Sequence, residues 1–583
     1  MQNSVRGLIG VVCCILGALA ARAEGILEQL PSDATGFVAI RKLAATNEKM
    51  ERVLAIFQEI APGPLPGPLS LVKAATGIGP GVDEQGDALL VLLPGDNAPV
   101  PPRALLLLPV TDYAEFAESI GGDATGEICR VTIADEEVLM AKRDAYAALT
   151  NVEHRSQLEQ FLTAKPQTPS ELRPLAEWLA TTDVSAGLTR AGVERLGEYV
   201  NQGLADLESQ SRCDDDPDAQ RVIYQLRDSI LFYKTALGFL GAKVQAGAVG
   251  LSIDEASNVR VAKRILFAPE GGALPLHGLT PPAKSPYASV ESAPFVAALG
   301  GPVAPTFGAA ASAAYRQLLQ KFPEGTGYEG FEADDWDKLE LSLRESLFGI
   351  KSLSLVLYPG EKDDGLFSNI YAVATTGDSQ AYLDHYLESF KLYNEVMEHA
   401  DSDLRMNYET AKVEVDGKPA VEAVTDVAAA ATDPNVPMVE PLMKAMFGPD
   451  GKMRIYAIAA DGQTVVVGIA PQERVAKAAA FSLNGPSGLD TRPSVATTKK
   501  LLDAKAPFTL LLSPQGIAAW ATRAVELFYA PFGMGTPEVP QFPETPPVGL
   551  SVNVVDNQFQ AEIIWPVETL KEFAAYIGKI REM

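Results

Sequence analysis

The scarcest groups with chemical reach are four histidines, His154, His277, His385 and His399, and the two cysteines beyond residue 23, Cys129 and Cys213. A serine hydrolase of the elbow type needs G-x-S-x-G with a histidine to serve it, and no such elbow occurs. Nor is there an H-E-x-x-H pair, a paired C-x-x-C, a phosphate loop or a G-x-G-x-x-G after a strand. His385 and His399 flank a helical pattern that also carries Asp384 and Glu388. Their spacing puts them roughly 20 Å apart along an unbroken helix, too far to share one metal. His277 falls in a proline-rich stretch and His154 at a helix start, where surface placement is the default.

Acid clusters are the other candidates. Asp214, Asp215, Asp216 and Asp218 share one segment, and Glu332, Asp334, Asp335 and Asp337 precede a helix. A hard cation needs several oxygen ligands, but neither run has the glycine-centred spacing of a calcium loop. Asp334 and Asp335 read instead as charges that suit a helix N-terminus. Met438, Met443, Met446 and Met453 offer soft thioethers, and the packing of a short amphipathic helix accounts for them better than copper does. With so many carboxylates a pair at glycosidase spacing carries no information. No catalytic, metal or cofactor residue is therefore assigned. In an oxidising compartment Cys129 and Cys213 are a candidate disulfide, worth about 4 kcal/mol in the chain-entropy account. Cys213 opens the acidic run CDDDPD, which disfavours a thiolate.

The compartment is read from the first 23 residues. Arg6 precedes an apolar run from Gly7 to Ala20, and Ala21-Arg22-Ala23 has the small-x-small form of a cleavage site. The run is too short for a comfortable membrane span. Val11 and Val12 stand before Cys13 and Cys14, where a lipoprotein signal wants a small residue. Cleavage after Ala23, no lipid, no stable membrane span and a periplasmic or extracellular destination are expected. Loss of residues 1–23 removes Arg6 and Arg22 and no acid, so the formal charge moves from −27 to −29. Such a charge repels phosphate backbones and argues against nucleic acid as a partner.

The full 583 residues are 47% hydrophobic and 21% charged, a globular balance in a chain too long for one ordinary core. Gly36 to Leu43 reads as a strand, followed by a helix through Met50, Val53, Leu54 and Phe57 with Thr46 or Asn47 as its cap. Ala88 to Leu93 and Ala104 to Leu108 read as the buried strands of a hairpin. Thr111 opens a helix whose apolar face is Tyr113, Phe116, Ala117 and Ile120.

The same order returns later in the chain. LLVLLPG at 89–95 is answered by LSLVLYPG at 353–360, and RDAYAALTNVEHRSQLEQF at 143–161 by ADGQTVVVGIAPQERVAKAAAF at 460–481. LAEWLATTDVSAGLTRAGVERL at 175–196 is answered by TKKLLDAKAPFTLLLSPQGIAAW at 498–520. VGLS at 249–252 is answered by VGLS at 548–551. The expected fold is α+β: two similar tandem lobes from an internal duplication, each a curved antiparallel sheet with helices on one face. Residues 24–267 form the first lobe, the Pro/Gly-rich 268–286 a linker, and 287–583 the second lobe. An insertion from Tyr408 to Gly451 sets the second lobe apart.

The opening of the mature chain, LPSDATGFVAIRKLAATNEKMERVL, resembles a group of uncharacterised exported bacterial proteins of planctomycete type. The likeness extends to strand-turn-helix units such as VVVGIAPQERVAKAAAF. It implies an exported α+β protein and carries over no site residue. The expected function is a non-catalytic binding or structural protein of the periplasm or envelope, its partner an unknown envelope protein or an apolar small molecule. The alternatives are a carrier of an apolar ligand or lipid held between sheet and helices, and a hydrolase with an unrecognised site.

Overall fold

The computed structural model describes residues 26–582 apart from 62, 64, 96–102, 135, 166, 211–242, 269–278, 283, 322–329, 362–363, 401–406, 427–438, 486 and 530–538. The described residues divide into two compact units. One is drawn from within Met1–Cys213, Tyr233–Gly272 and Asp556–Ile563, the other from within Asp214–Phe232, Ala273–Val555 and Ile564–Met583. The architecture is mixed α and β, and every strand pairing within each unit is antiparallel.

The first unit begins with β1 (Gly36–Ile40), α1 (Leu43–Ile56), α2 (Pro68–Thr76), β2 (Ala88–Leu93), β3 (Arg103–Pro109) and α3 (Tyr113–Ser119). It continues through β4 (Ile128–Ile133), β5 (Glu136–Arg143), β6 (Tyr146–Asn151), α4 (Arg155–Thr163), α5 (Arg173–Leu179), β7 (Val184–Leu188), α6 (Arg190–Gln210), β8 (Val244–Ile253) and β9 (Val259–Phe267). Its sheet runs β9-β8-β7-β1-β2-β3-β6-β5-β4. In it Gly36 lies opposite Leu188 on one side and Leu92 on the other.

Helices cover both faces of this sheet, where the sequence pattern suggested one. Leu158 and Phe161 of α4 and Leu175 and Trp178 of α5 pack with Phe37, Leu89, Val91 and Leu107 on one face. Leu43 of α1, Leu69 and Val72 of α2 and Phe116 of α3 pack with Ile40, Leu108, Met140 and Leu149 on the other. The reason is visible in β2, ALLVLL, which lacks polar alternation and is buried at five of its six residues. A strand that is apolar on both faces requires cover on both.

Two helix starts also differ from the pattern. α1 begins at Leu43, before Thr46 and Asn47. The Thr46 hydroxyl turns back to donate to Arg41 O at 2.6 Å, and Asn47 Oδ1 accepts from Leu69 N at 3.0 Å, so Asn47 ties α1 to α2. At α3 the cap is Asp112, not Thr111, its carboxylate accepting from Ala114 N and Glu115 N.

The second unit contains β10 (Ala297–Pro302), α7 (Phe307–Lys321), α8 (Ala333–Ser346), β11 (Ile350–Leu357), β12 (Ile370–Thr376), α9 (Ser379–Met397), β13 (Glu409–Val415) and β14 (Lys418–Asp426). After these come α10 (Val439–Phe447), β15 (Lys452–Ala459), β16 (Thr464–Ile469), α11 (Gln472–Asn484), α12 (Pro493–Leu501), β17 (Phe508–Leu512), α13 (Pro514–Tyr529) and β18 (Val548–Val555). Its sheet runs β18-β17-β10-β11-β12-β16-β15-β14-β13. Ala297 lies opposite Leu512 and Leu357. The chain ends with β19 (Gln558–Trp565), entered through a two-residue turn with Asp556 at φ 52°, and α14 (Val567–Glu582). Here too both faces are covered, by Val475 and Ala479 of α11 and Val495 of α12 on one side and Tyr382 and Leu383 of α9 on the other.

Among the described residues no helix is long and apolar enough to cross a membrane.

Candidate functional site

A cleft in the second unit lies under α11. Arg474, Lys477, Ala478 and Phe481 recur at three- and four-residue spacing and form one helix face. Opposite them, β11 and its continuation present Val356 and Tyr358, and β12 presents Tyr371 and Val373. These are alternate residues that share a side of the pleat. The segment entering β10 closes the third wall with Glu291 and Pro294. The cleft encloses about 390 Å³, within the range of roughly 300–1,000 Å³ usual for small-molecule sites.

A polar network anchors one end. The Arg474 guanidinium donates to Asp364 Oδ2, to Asn369 Oδ1 at 3.0 Å and to Glu361 Oε2 at 3.1 Å. Asp364 also accepts from Glu361 N at 2.6 Å and from Asn369 Nδ2 at 2.9 Å. Its side chain is 8% exposed. Burial alone would raise the Asp364 pKa, but the Arg474 hydrogen bond, the Glu361 N–H and the Asn369 amide outweigh burial and hold it below the ordinary carboxylate range.

The tyrosine hydroxyls are committed to the walls. Tyr371 donates to Asn369 Oδ1 at 3.2 Å and Tyr358 to Glu291 O at 2.9 Å. Burial pushes Tyr371 up to about 12, with Arg474 pulling it down and Asp364, Glu291 and Glu361 adding to the rise. Tyr358 is pushed higher by burial, then by Glu291 and Tyr371. Both are protonated phenols at neutral pH. The two rings stand edge to face, 5.8 Å apart at 61°. At the mouth, Lys477 lies 3.5 Å from Glu291 and its side chain is 73% exposed, while Glu361 is 80% exposed. Ser289 gives its hydroxyl to Pro286 O at 3.2 Å.

The first unit carries a pocket of about 360 Å³ between the segment entering β1 (Asp33), the end of β2 (Leu93, Pro94), Arg103 of β3, and Gln157 and Gln160 of α4. Its lining is more polar than that of the cleft above.

The residues singled out by type lie elsewhere. Cys129 is a buried free cysteine with its Sγ 3.8 Å from Tyr113 Oη; Cys213 lies outside the described residues. His277, the Asp214–Asp218 run and Met438 are also outside them. Met443 and Met446 sit on α10 and Met453 on β15. His385 and His399 are drawn to separate carboxylates on α8: His385 Nδ1 meets Glu345, and His399 Nδ1 lies 2.8 Å from Asp335 Oδ1. Asp335 completes a capping box with Glu332 at the start of α8. Among the described residues no group of three His, Cys, Asp or Glu side chains is placed to hold a metal ion.

Reasoning from residue types missed the cleft, because Asp364, Asn369 and Arg474 are individually unremarkable and are joined only by folding. The available signal was positional. Tyr358 ends an apolar run in YPG, and Arg474 opens the helix after the run VVVGIAP.

No family model, no curated protein and no solved structure matches this chain.

Proposed function

We propose that this is an exported, non-catalytic binding protein built from two similar lobes by internal duplication, and that the cleft under α11 holds its small-molecule ligand. The observation that carries the binding reading is the way the lining groups are used. An apolar floor of Val356 and Val373, with Phe481 facing it from α11, is bordered by polar groups already paired with one another, including Arg474 with Asp364 and both tyrosine hydroxyls with acceptors on the walls. Catalysis asks for a nucleophile or base poised against a partner it will act upon. Fully committed groups around apolar surface suit recognition instead.

The duplication is supported by register. Gly36 meets Leu188 and Leu92 as Ala297 meets Leu512 and Leu357, which aligns LLVLLPG at 89–95 with SLVLYPG at 354–360 residue for residue. Leu106 meets Leu149 as Ala372 meets Val467. Thr189 N donates to Thr35 O and Ser513 N to Val296 O, each just before a helix whose third residue is a glycine. β13 and α10, within Tyr408–Gly451, have no counterpart among the described elements of the first unit. The two VGLS segments are on corresponding strands but two residues out of step, because Leu188 lies opposite Gly247 whereas Leu512 lies opposite Val548. An even shift keeps the same face inward. In both copies the glycine abuts a threonine methyl, Thr182 for Gly250 and Thr498 for Gly549. A packing role in the scaffold explains both.

Native mass spectrometry of the full chain isolated from the exported fraction tests the binding reading. Wild type is expected to retain a small-molecule adduct that Ala478→Trp, which fills the cleft, does not. The same adduct on both proteins, or none on either, would contradict it.

A further inference from the structure

We propose that the cleft under α11 selects an organic cation, an ammonium group carried on an apolar or aromatic body. This rests on the reading of the cleft as a ligand site and narrows it to a ligand class. The first support is the charge balance of the described residues there. Arg474 is matched by Asp364, which lies beneath it and is itself buried. Lys477 lies against Glu291, and Glu361 shares Arg474 with Asp364, so with Asp364 counted the three carboxylates outnumber the two cations by one. An entering anion would face both carboxylates and find the Arg474 guanidinium already bonded to three side chains. An entering ammonium would meet Glu291 after displacing a lysine held at 3.5 Å and largely solvated, an exchange of like for like.

The second support is independent of charge counting. Tyr358 and Tyr371 spend their hydroxyls on the walls, so what they offer the cleft is ring surface. Set at 61° to each other, the rings form a corner, and Phe481 adds a third aromatic group across from them. The negative π-face of an aromatic ring attracts a cation, and several rings grouped with a carboxylate suit a bulky ammonium that no single ion pair could hold. The apolar floor of Val356 and Val373 accommodates the uncharged body. At long range the formal charge of −27 raises the local concentration of cations over anions.

The test titrates the full chain calorimetrically with three probes of one shape: 3-hydroxyphenyltrimethylammonium, the neutral isostere 3-tert-butylphenol, and the anion 3-tert-butylbenzoate. The cation is expected to bind about tenfold more tightly than the phenol, and the benzoate more weakly than either. Glu291→Gln with Glu361→Gln should narrow the gap between cation and phenol, leaving only the part the rings supply, and leave the phenol unchanged. Ala478→Trp should abolish both. If phenol and cation bind equally and Ala478→Trp removes both, the cleft is a ligand site and the choice of a cation is wrong. If no probe binds, or Ala478→Trp changes nothing, the reading of the cleft as a ligand site falls with it.

Discussion

Arg474 and Asp364 show how much of the site rests on one contact between residues 110 positions apart. Removing one member of a buried pair leaves the other charge without compensation, which costs about 3 kcal/mol. Arg474→Met is therefore expected to lower the urea-unfolding free energy of its cooperative transition by about that amount. Asp364→Asn, which keeps the shape and the Asn369 contact, should cost less. The pH dependence separates the two roles. Because the folded carboxylate titrates below its ordinary range, its contribution is present above that range and is lost as the pH falls through the folded value. Wild type should lose stability on acidification more steeply than Asp364→Asn, and equal slopes would show that the pair is not formed. None of this was legible in residue types. Cys129, by contrast, was singled out by type and proves to be a core residue beside Tyr113.

At the scale of elements, α8 and α9 are pinned at both ends by histidine–carboxylate contacts, Asp335 with His399 and Glu345 with His385. His399 is raised above the ordinary histidine value by its hydrogen bond to Asp335 and by that carboxylate's charge, with Lys338 opposing and Glu398 adding. The contact thus stabilises the helix pair below the ordinary histidine range and is lost as the pH rises through the raised folded value. Amide exchange of α8 should quicken over that interval in wild type and be flat in His399→Gln. Helix glycines make a second test. A Cβ on Gly192 would lie 1.7 Å from Thr35 O and on Gly516 1.8 Å from Phe295 O, whereas on Gly197 it would meet nothing within 4 Å. Gly192→Ala and Gly516→Ala should each cost about 3 kcal/mol or more, while Gly197→Ala should add about 0.5–1 kcal/mol. Most of these elements could be read in advance, since runs such as ALLVLL and RALLLL declare buried strands. The start of α1 could not, because Thr46 and Asn47 look like caps and are used for tertiary contacts.

At the scale of the whole molecule, we propose that function lies where the two units differ. The first unit holds a mixed, polar pocket at Asp33, Arg103 and Gln157 and the second an aromatic one at Tyr358, Tyr371 and Arg474. Repetition of apolar runs was visible because burial constrains every residue of a strand. The divergence of pocket linings was not, because it involves a few positions spread over the segment before the first strand, two strand ends and one helix. Hydrogen–deuterium exchange on the full chain, stripped of small molecules by unfolding and refolding and then given back the small-molecule fraction of its exported preparation, tests the central claim most directly. The account predicts slowed exchange in Arg474–Phe481 and around Tyr358 and Tyr371, absent in Ala478→Trp. Protection confined to other elements, or identical in the two proteins, would contradict it.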